Sequence, residues 1–167
     1  GGAAGDRAAD FRWYADRGWV VVSVEYRLAT ATAPTWDRAP ADVGCALAWV
    51  AAAAPRWGGD PARLAIMGDS AGGNLALHVG WAAAGGRAPS SCPALGPVPV
   101  PRAVLAGYPV ANPRDTYLHG HPGYGQHPRD LIETYIGGPA AAFPDRLDAI
   151  SPATYIARNA PPTLIIQ

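Results

Sequence analysis

Short apolar runs alternate along the chain with stretches of helical periodicity. Residues Trp19 to Val24 read Trp-Val-Val-Val-Ser-Val, too dense in Val for an amphipathic helix, and predict a buried strand entered from Gly18. Before it, Ala8, Phe11, Tyr14 and Ala15 fall on one helical face within Arg7 to Arg17, and Gly18 stands where a helix stop belongs. After it, Val43, Leu47 and Val50 recur at i, i+4 and i+7 within Asp37 to Ala54, closed by Pro55. Leu64 to Met67 is a second apolar run that breaks into Gly68. Ala71 to Ala84 then follows as a helix with Leu75, Val79 and Ala82 on one face and Gly85-Gly86 behind it. Ala103 to Ala106 and Thr163 to Ile166 predict two more strands.

Strands joined through helices of more than ten residues cannot pair as hairpins. They give right-handed crossovers, hence an α/β fold with a mostly parallel sheet and helices on both faces. Gly85 to Pro101 holds five Pro and three Gly and predicts a surface connection. Asn112 to Ala160 has no clear period and carries three of the four His, with one helical patch at Asp130 to Tyr135. A connection of that length is expected to be a cap-like excursion over one end of the sheet, so residues 1–167 read as a single, partial α/β domain with an insertion at about 112–160. One end of the chain begins Gly-Gly-Ala-Ala-Gly and the other stops in an apolar run, and both ends read as truncated.

Composition narrows the chemistry by exclusion. With 167 residues, 13 basic and 13 acidic side chains, the net charge is zero, which argues against a nucleic-acid partner. The basic residues are all Arg and Ala is found 35 times, a bias of base composition with no functional content. The longest apolar run, Cys45 to Ala54, is half of the roughly 20 residues a membrane helix needs, so no membrane span is expected. Cys45 and Cys92 have no metal-ligand spacing. They are read as a buried helical thiol and an unrelated loop thiol, with a disulfide as the alternative. No leader pattern identifies a compartment.

The chemistry concentrates at Gly68-Asp69-Ser70-Ala71-Gly72, a Gly-x-Ser-x-Gly pattern at the one turn predicted to join a strand directly to a helix. A nucleophilic Ser must stand clear of the sheet on a strained turn, and small residues are expected at Gly68 and Gly72 because strand and helix backbones approach there. Ser70 is the candidate nucleophile. The amide of Ala71, at the helix start, is the candidate oxyanion donor. No dinucleotide fingerprint or phosphate-binding Gly-Lys-Ser/Thr loop competes for the site.

The extended heptad Gly68-Asp69-Ser70-Ala71-Gly72-Gly73-Asn74 resembles the elbow of the hormone-sensitive-lipase-like esterases, within the α/β-hydrolase fold. Val22 to Ala29, Asp42-Val43, Gly59 to Leu64, Tyr108-Pro109-Val110, Tyr135 to Gly138, Ser151-Pro152 and Pro161 to Leu164 fall in that family's order, so the resemblance covers essentially the whole chain. It implies a serine carboxylic-ester hydrolase that works through an acyl-enzyme on a small-molecule ester, without metal or organic cofactor. It also implies an oxyanion loop before the first helix, for which Gly1 and Gly2 are the only glycines in place; since Gly1 to Tyr26 is short for that loop, it is expected to lie wholly before residue 1, and the catalytic acid and His beyond Gln167.

Asp115 with His119, His121 or His127 is the weaker internal substitute, His78 reads as structural, and Asp69 reads as support for the elbow. His119-x-His121 alone is too little for a metal. Two other readings stay open: a prolyl-oligopeptidase-like serine peptidase, and a non-catalytic binding module on the same scaffold.

Overall fold

The computed structural model describes residues 8–121 and 127–167. Gly1, Gly2 and Arg7 lie outside the described residues. Three parallel strands form the sheet in the order β1 (Ala65–Asp69), β2 (Ala103–Gly107), β3 (Thr163–Ile166), each joined to the next through helices. This is the α/β class expected from the alternation of runs. Helix α1 (Ala8–Ala15) precedes the sheet, α2 (Arg38–Ala53) ends in a 3₁₀ turn (Ala54–Trp57), and α3 (Ala71–Ala84) leaves β1 directly. All lie within two residues of the bounds their periodicity predicts.

Helix α3 is the core of the molecule. Its inner face, Leu75, Ala76, Leu77, Val79 and Ala82, is at most 3 % exposed. It packs on Val104 and Ala106 of β2 along one side and on Val43 and Leu47 of α2 along the other. Gly80 permits the close approach to β2, since a Cβ there would lie 2.6 Å from Val104 Cγ2. Its neighbour α2 is also tied to the segment behind Val24: Arg27 grips Asp42 through two side-chain bonds of 2.7 and 2.8 Å and donates its backbone N–H at 3.0 Å. These bonds hold the Asp42 carboxyl below its usual range, against the opposing effect of partial burial.

Three expectations change. Trp19 to Val24 is not a strand. A strand exists only through a hydrogen-bonded neighbour, and β1 is the edge of the described sheet on this side. The run instead lines, together with Ala65 and Met67 of β1, a cavity of about 710 Å³. Cys45 and Cys92 are joined in a disulfide with Cα atoms 5.2 Å apart. The 85–101 segment is the surface connection expected, and it lies back on α2: Ser91 N–H donates to Ala41 O at 2.9 Å, and Gly44 leaves no room for a side chain against the Pro89 carbonyl.

The third change is in the 112–160 segment. It is helical over much of its length, with α4 (Pro113–His119), α5 (Pro128–Ile136), α6 (Pro144–Ala149) and a 3₁₀ turn (Pro152–Tyr155). Each starts on a proline. The residue before supplies a side-chain cap twice, Asn112 to Asp115 N–H and His127 to Arg129 N–H. Ile132, Ile136, Ala140, Leu147 and Ile150 bury one another as a second small core, with Trp36 and Phe143 at its margin.

His78 is structural, as its place on α3 suggests. It is 3 % exposed, its ring stacks on Tyr155 at 4.4 Å between centroids, and Nδ1 has no hydrogen-bond partner among the described residues. Burial pushes its pKa from 6.5 down to about 4. Above pH 6.5 the imidazole is neutral in both states. Between 6.5 and about 4 the unfolded chain takes a proton that the folded core refuses, so stability falls, by about 3 kcal/mol in full. Urea midpoints measured from pH 7.5 to 4.5 are expected to fall less in His78→Phe, which keeps a ring against Tyr155, than in the parent protein. Parallel profiles would contradict this assignment.

Candidate active site

Strand β1 runs into α3 through a single residue. Ser70 has φ 52° and ψ −116°, a conformation that side chains rarely adopt, and it is exposed at the carboxyl end of the strand. Two backbone bonds fix it: Ser70 N–H donates to Gly107 O on β2 at 2.8 Å, and Ser70 O accepts from Asn74 N–H at 3.0 Å. The reversal is so tight that a Cβ on Gly68 would overlap the Gly72 carbonyl group.

The second place where a side chain would be crowded is Gly73 rather than Gly72. A Cβ on Gly73 would sit 3.0 Å from Gly107 O, 3.1 Å from Gly68 O and 3.1 Å from Pro109 Cβ, whereas a Cβ on Gly72 would meet nothing within 4 Å among the described residues. The five-residue pattern therefore places the steric demand one residue early. The signal was present in the doubled glycine of the heptad.

Because α3 begins at Ala71, the first amides of the helix, Ala71 N–H among them, have no carbonyl a turn earlier to bond. They carry the positive end of the helix dipole beside Ser70. An anion developing on a group bonded to Ser70 meets these donors without any rearrangement of the helix. Asp69 turns its carboxylate toward Gly107, where a Cβ would overlap Oδ1 and approach Cγ to 3.2 Å.

Sequence reasoning missed Asn74. It is 5 % exposed, and its amide donates to Val110 O at 2.7 Å and Ile150 O at 3.2 Å. It thus ties both the exit of β2 and the far end of the helical segment to the elbow helix. A buried amide with two carbonyl partners is specific, but in sequence an Asn in a first helical turn reads only as a cap.

The remaining candidates have other partners or none with Ser70 among the described residues. His119 Nδ1 is 3.0 Å from Asp115 Oδ1 one turn away on α4, and both side chains are more than 60 % exposed. His121 is exposed, and His127 is occupied in capping α5. Among the described residues, none of these imidazoles hydrogen-bonds the Ser70 hydroxyl.

A family model designated BD-FAE matches residues 4–167. The chain belongs to the BD-FAE family. Its resemblance to the hormone-sensitive-lipase-like esterases is borne out by sequence relatives: 46 % identity over 61 residues with the probable carboxylic ester hydrolase LipM of Mycobacterium tuberculosis, and 41 % over 69 residues with esterase LipC of the same organism. Those matches cover 36 % and 41 % of this chain but 14 % and 17 % of the relatives. Among solved structures, inhibited esterase B of Lactobacillus rhamnosis superposes with a TM-score of 0.74 at 20 % identity, over 99 % of this chain and 51 % of that one. Esterase 2 of Thermogutta terrifontis, phosphonylated by sarin, gives 0.72 at 23 %, over 99 % and 56 %. These two establish the shared fold. The BD-FAE chain spans about half the length of the solved chains it matches.

The two glycines separate steric need from mere pattern. Gly68→Ala is expected to lower unfolding free energy by about 2–3 kcal/mol, because the blocking atoms are backbone. Gly72→Ala is expected to be neutral or stabilising by up to about 1 kcal/mol, since alanine favours the helix and its methyl meets open space. Chemical denaturation of both variants checks this, and equal losses would contradict the geometry.

Proposed function

We propose that the protein is a serine carboxylic-ester hydrolase in which these residues supply the nucleophile and part of the oxyanion site. Ser70 Oγ attacks the carbonyl carbon of a small ester while a histidine accepts its proton. The carbonyl oxygen becomes an oxyanion that receives a hydrogen bond from Ala71 N–H. Collapse of the tetrahedral species expels the alcohol, which takes the proton back from the histidine, and leaves an acyl group on Ser70. Water, deprotonated by the same histidine, then releases the acid. We assign the base and its carboxylate partner to residues outside the arrangement described above, since none of the described histidines hydrogen-bonds Ser70.

The observation that carries this reading is the strain at Ser70. An exposed serine held at positive φ between a strand and a helix N-terminus makes little sense as packing, and makes good sense as a presented nucleophile. The names of the relatives, esterases and carboxylic ester hydrolases, favour an ester over a peptide bond. The phosphonate-modified esterases of the same fold suit a hydroxyl nucleophile. The helices between β2 and β3 act as a wall over the carboxyl end of the sheet, where the acyl or alcohol group would lie.

In the full-length protein, Ser70→Ala is expected to reduce kcat on a short p-nitrophenyl ester by roughly 10⁴ to 10⁶ with folding intact. A fluorophosphonate is expected to add its mass to the peptide containing Ser70 and not to the variant. Retained turnover in Ser70→Ala, or a label on another residue, would overturn the assignment. A folded full-length protein that neither turns over esters nor labels would favour the binding-module reading.

A further inference from the structure

Among the described residues, two that are not glycine have positive φ: Ser70 at 52° and Tyr108 at 44°. They are neighbours by register. Asp69 and Gly107 are partners at the carboxyl ends of β1 and β2, and Ser70 and Tyr108 are the next residue on each strand. Strain of this kind persists only where the surroundings over-determine it, and around Tyr108 they do. Its N–H donates to Ile166 O of β3 at 2.7 Å, while the preceding carbonyl, Gly107 O, accepts the Ser70 N–H. Gly73 abuts both Gly107 and Pro109, and Asn74 holds Val110 O. The segment 107–110 is thus fastened to the elbow through Gly107, Pro109 and Val110, and to β3 through Tyr108.

What this fastening secures is not packing of the Tyr108 side chain. The residue is 67 % exposed, more than any other large hydrophobic residue of the described chain. A bulky aromatic residue in a left-handed conformation, fixed to the backbone that presents the serine and left uncovered, has its reward outside the folded core. We infer that Tyr108 is a specificity-determining residue whose ring forms a wall of the substrate cleft beside Ser70 and packs on the apolar part of the ester. This rests on the proposed role of Ser70, and it goes further by assigning chain-length preference to a residue outside the elbow motif.

The experiment uses the full-length protein and two readouts. Steady-state kinetics on p-nitrophenyl acetate and p-nitrophenyl hexanoate give the ratio of kcat/KM between long and short acyl chains. The rates at which a short and a long alkyl fluorophosphonate label Ser70 give the same ratio without turnover. Tyr108→Ala is expected to lower the long-to-short ratio about tenfold, mainly through a raised KM on the hexanoate. Tyr108→Phe, which keeps the ring, is expected to preserve the ratio. Tyr108→Gly accepts the positive φ without strain, so it is expected to match Tyr108→Ala in selectivity while keeping the parent Tm, which separates loss of the ring from damage to the fold.

An unchanged ratio in both Ala and Gly variants, or an equal loss on both substrates, would overturn the assignment of Tyr108. If Ser70 of the parent protein takes no label from either phosphonate, the reading of Ser70 fails and the assignment of Tyr108 falls with it, an outcome distinct from normal labelling with an unaltered ratio.

Discussion

One backbone reversal governs the rest of this molecule. To turn from β1 into α3 through Ser70 alone, the chain must bring Gly68 against the carbonyl of Gly72, and Gly73 against the carbonyls of both Gly68 and Gly107. A side chain at Gly68 would overlap backbone and one at Gly73 would crowd it, so the turn favours glycine on both sides of a residue that is itself strained. The cost is met by the packing of α3, the most buried helix, against β2 and α2, and by the hydrogen bond from Ser70 to Gly107. In the proposed mechanism, stability and function are therefore coupled at one point. The helix that anchors the core is the helix whose amino end faces the serine.

The other fastenings serve this arrangement at longer range. Asn74 ties the exit of β2 and the Ile150 carbonyl to the elbow helix, so the two ends of the helical segment between β2 and β3 are set relative to Ser70. On the opposite side, the Arg27–Asp42 pair and the Cys45–Cys92 disulfide hold two irregular stretches onto α2. The disulfide closes a separation of 47 residues, for which chain-entropy reasoning gives a stabilisation of about 4 kcal/mol. Both act on α2, which in turn buttresses α3.

Much of this was legible in the sequence where local chemistry decides the outcome. Periodicity located α2 and α3, apolar runs located β1, β2 and β3, and the Gly-Asp-Ser-Ala-Gly-Gly-Asn string located the elbow. What could not be read depends on distant partners. The valine run at 19–24 has strand propensity, but a strand is a property of a pair, and no strand among the described residues pairs with it. Pro113, Pro128 and Pro144 look like loop punctuation, yet proline also suits the first position of a helix, and only the apolar residues buried behind it distinguish the two. Cys45 and Cys92 are 47 residues apart with no framework pattern, and their approach follows from how the 85–101 connection lies on α2. Asn74 and Tyr108 carry no sequence signal beyond the motif strings they sit in, because their roles reside in backbone contacts across the sheet.

In the proposed mechanism the strained turn presents the Ser70 hydroxyl to a reacting carbonyl with the amide of Ala71 already in place. A crystal structure of the full-length protein trapped with an alkyl phosphonate tests it most directly. The account predicts a bond from phosphorus to Ser70 Oγ, Ser70 still at positive φ, and the phosphoryl oxygen within about 3 Å of Ala71 N. Phosphorus on another side chain, or a phosphoryl oxygen turned away from Ala71 with Ser70 relaxed to helical φ, would contradict it.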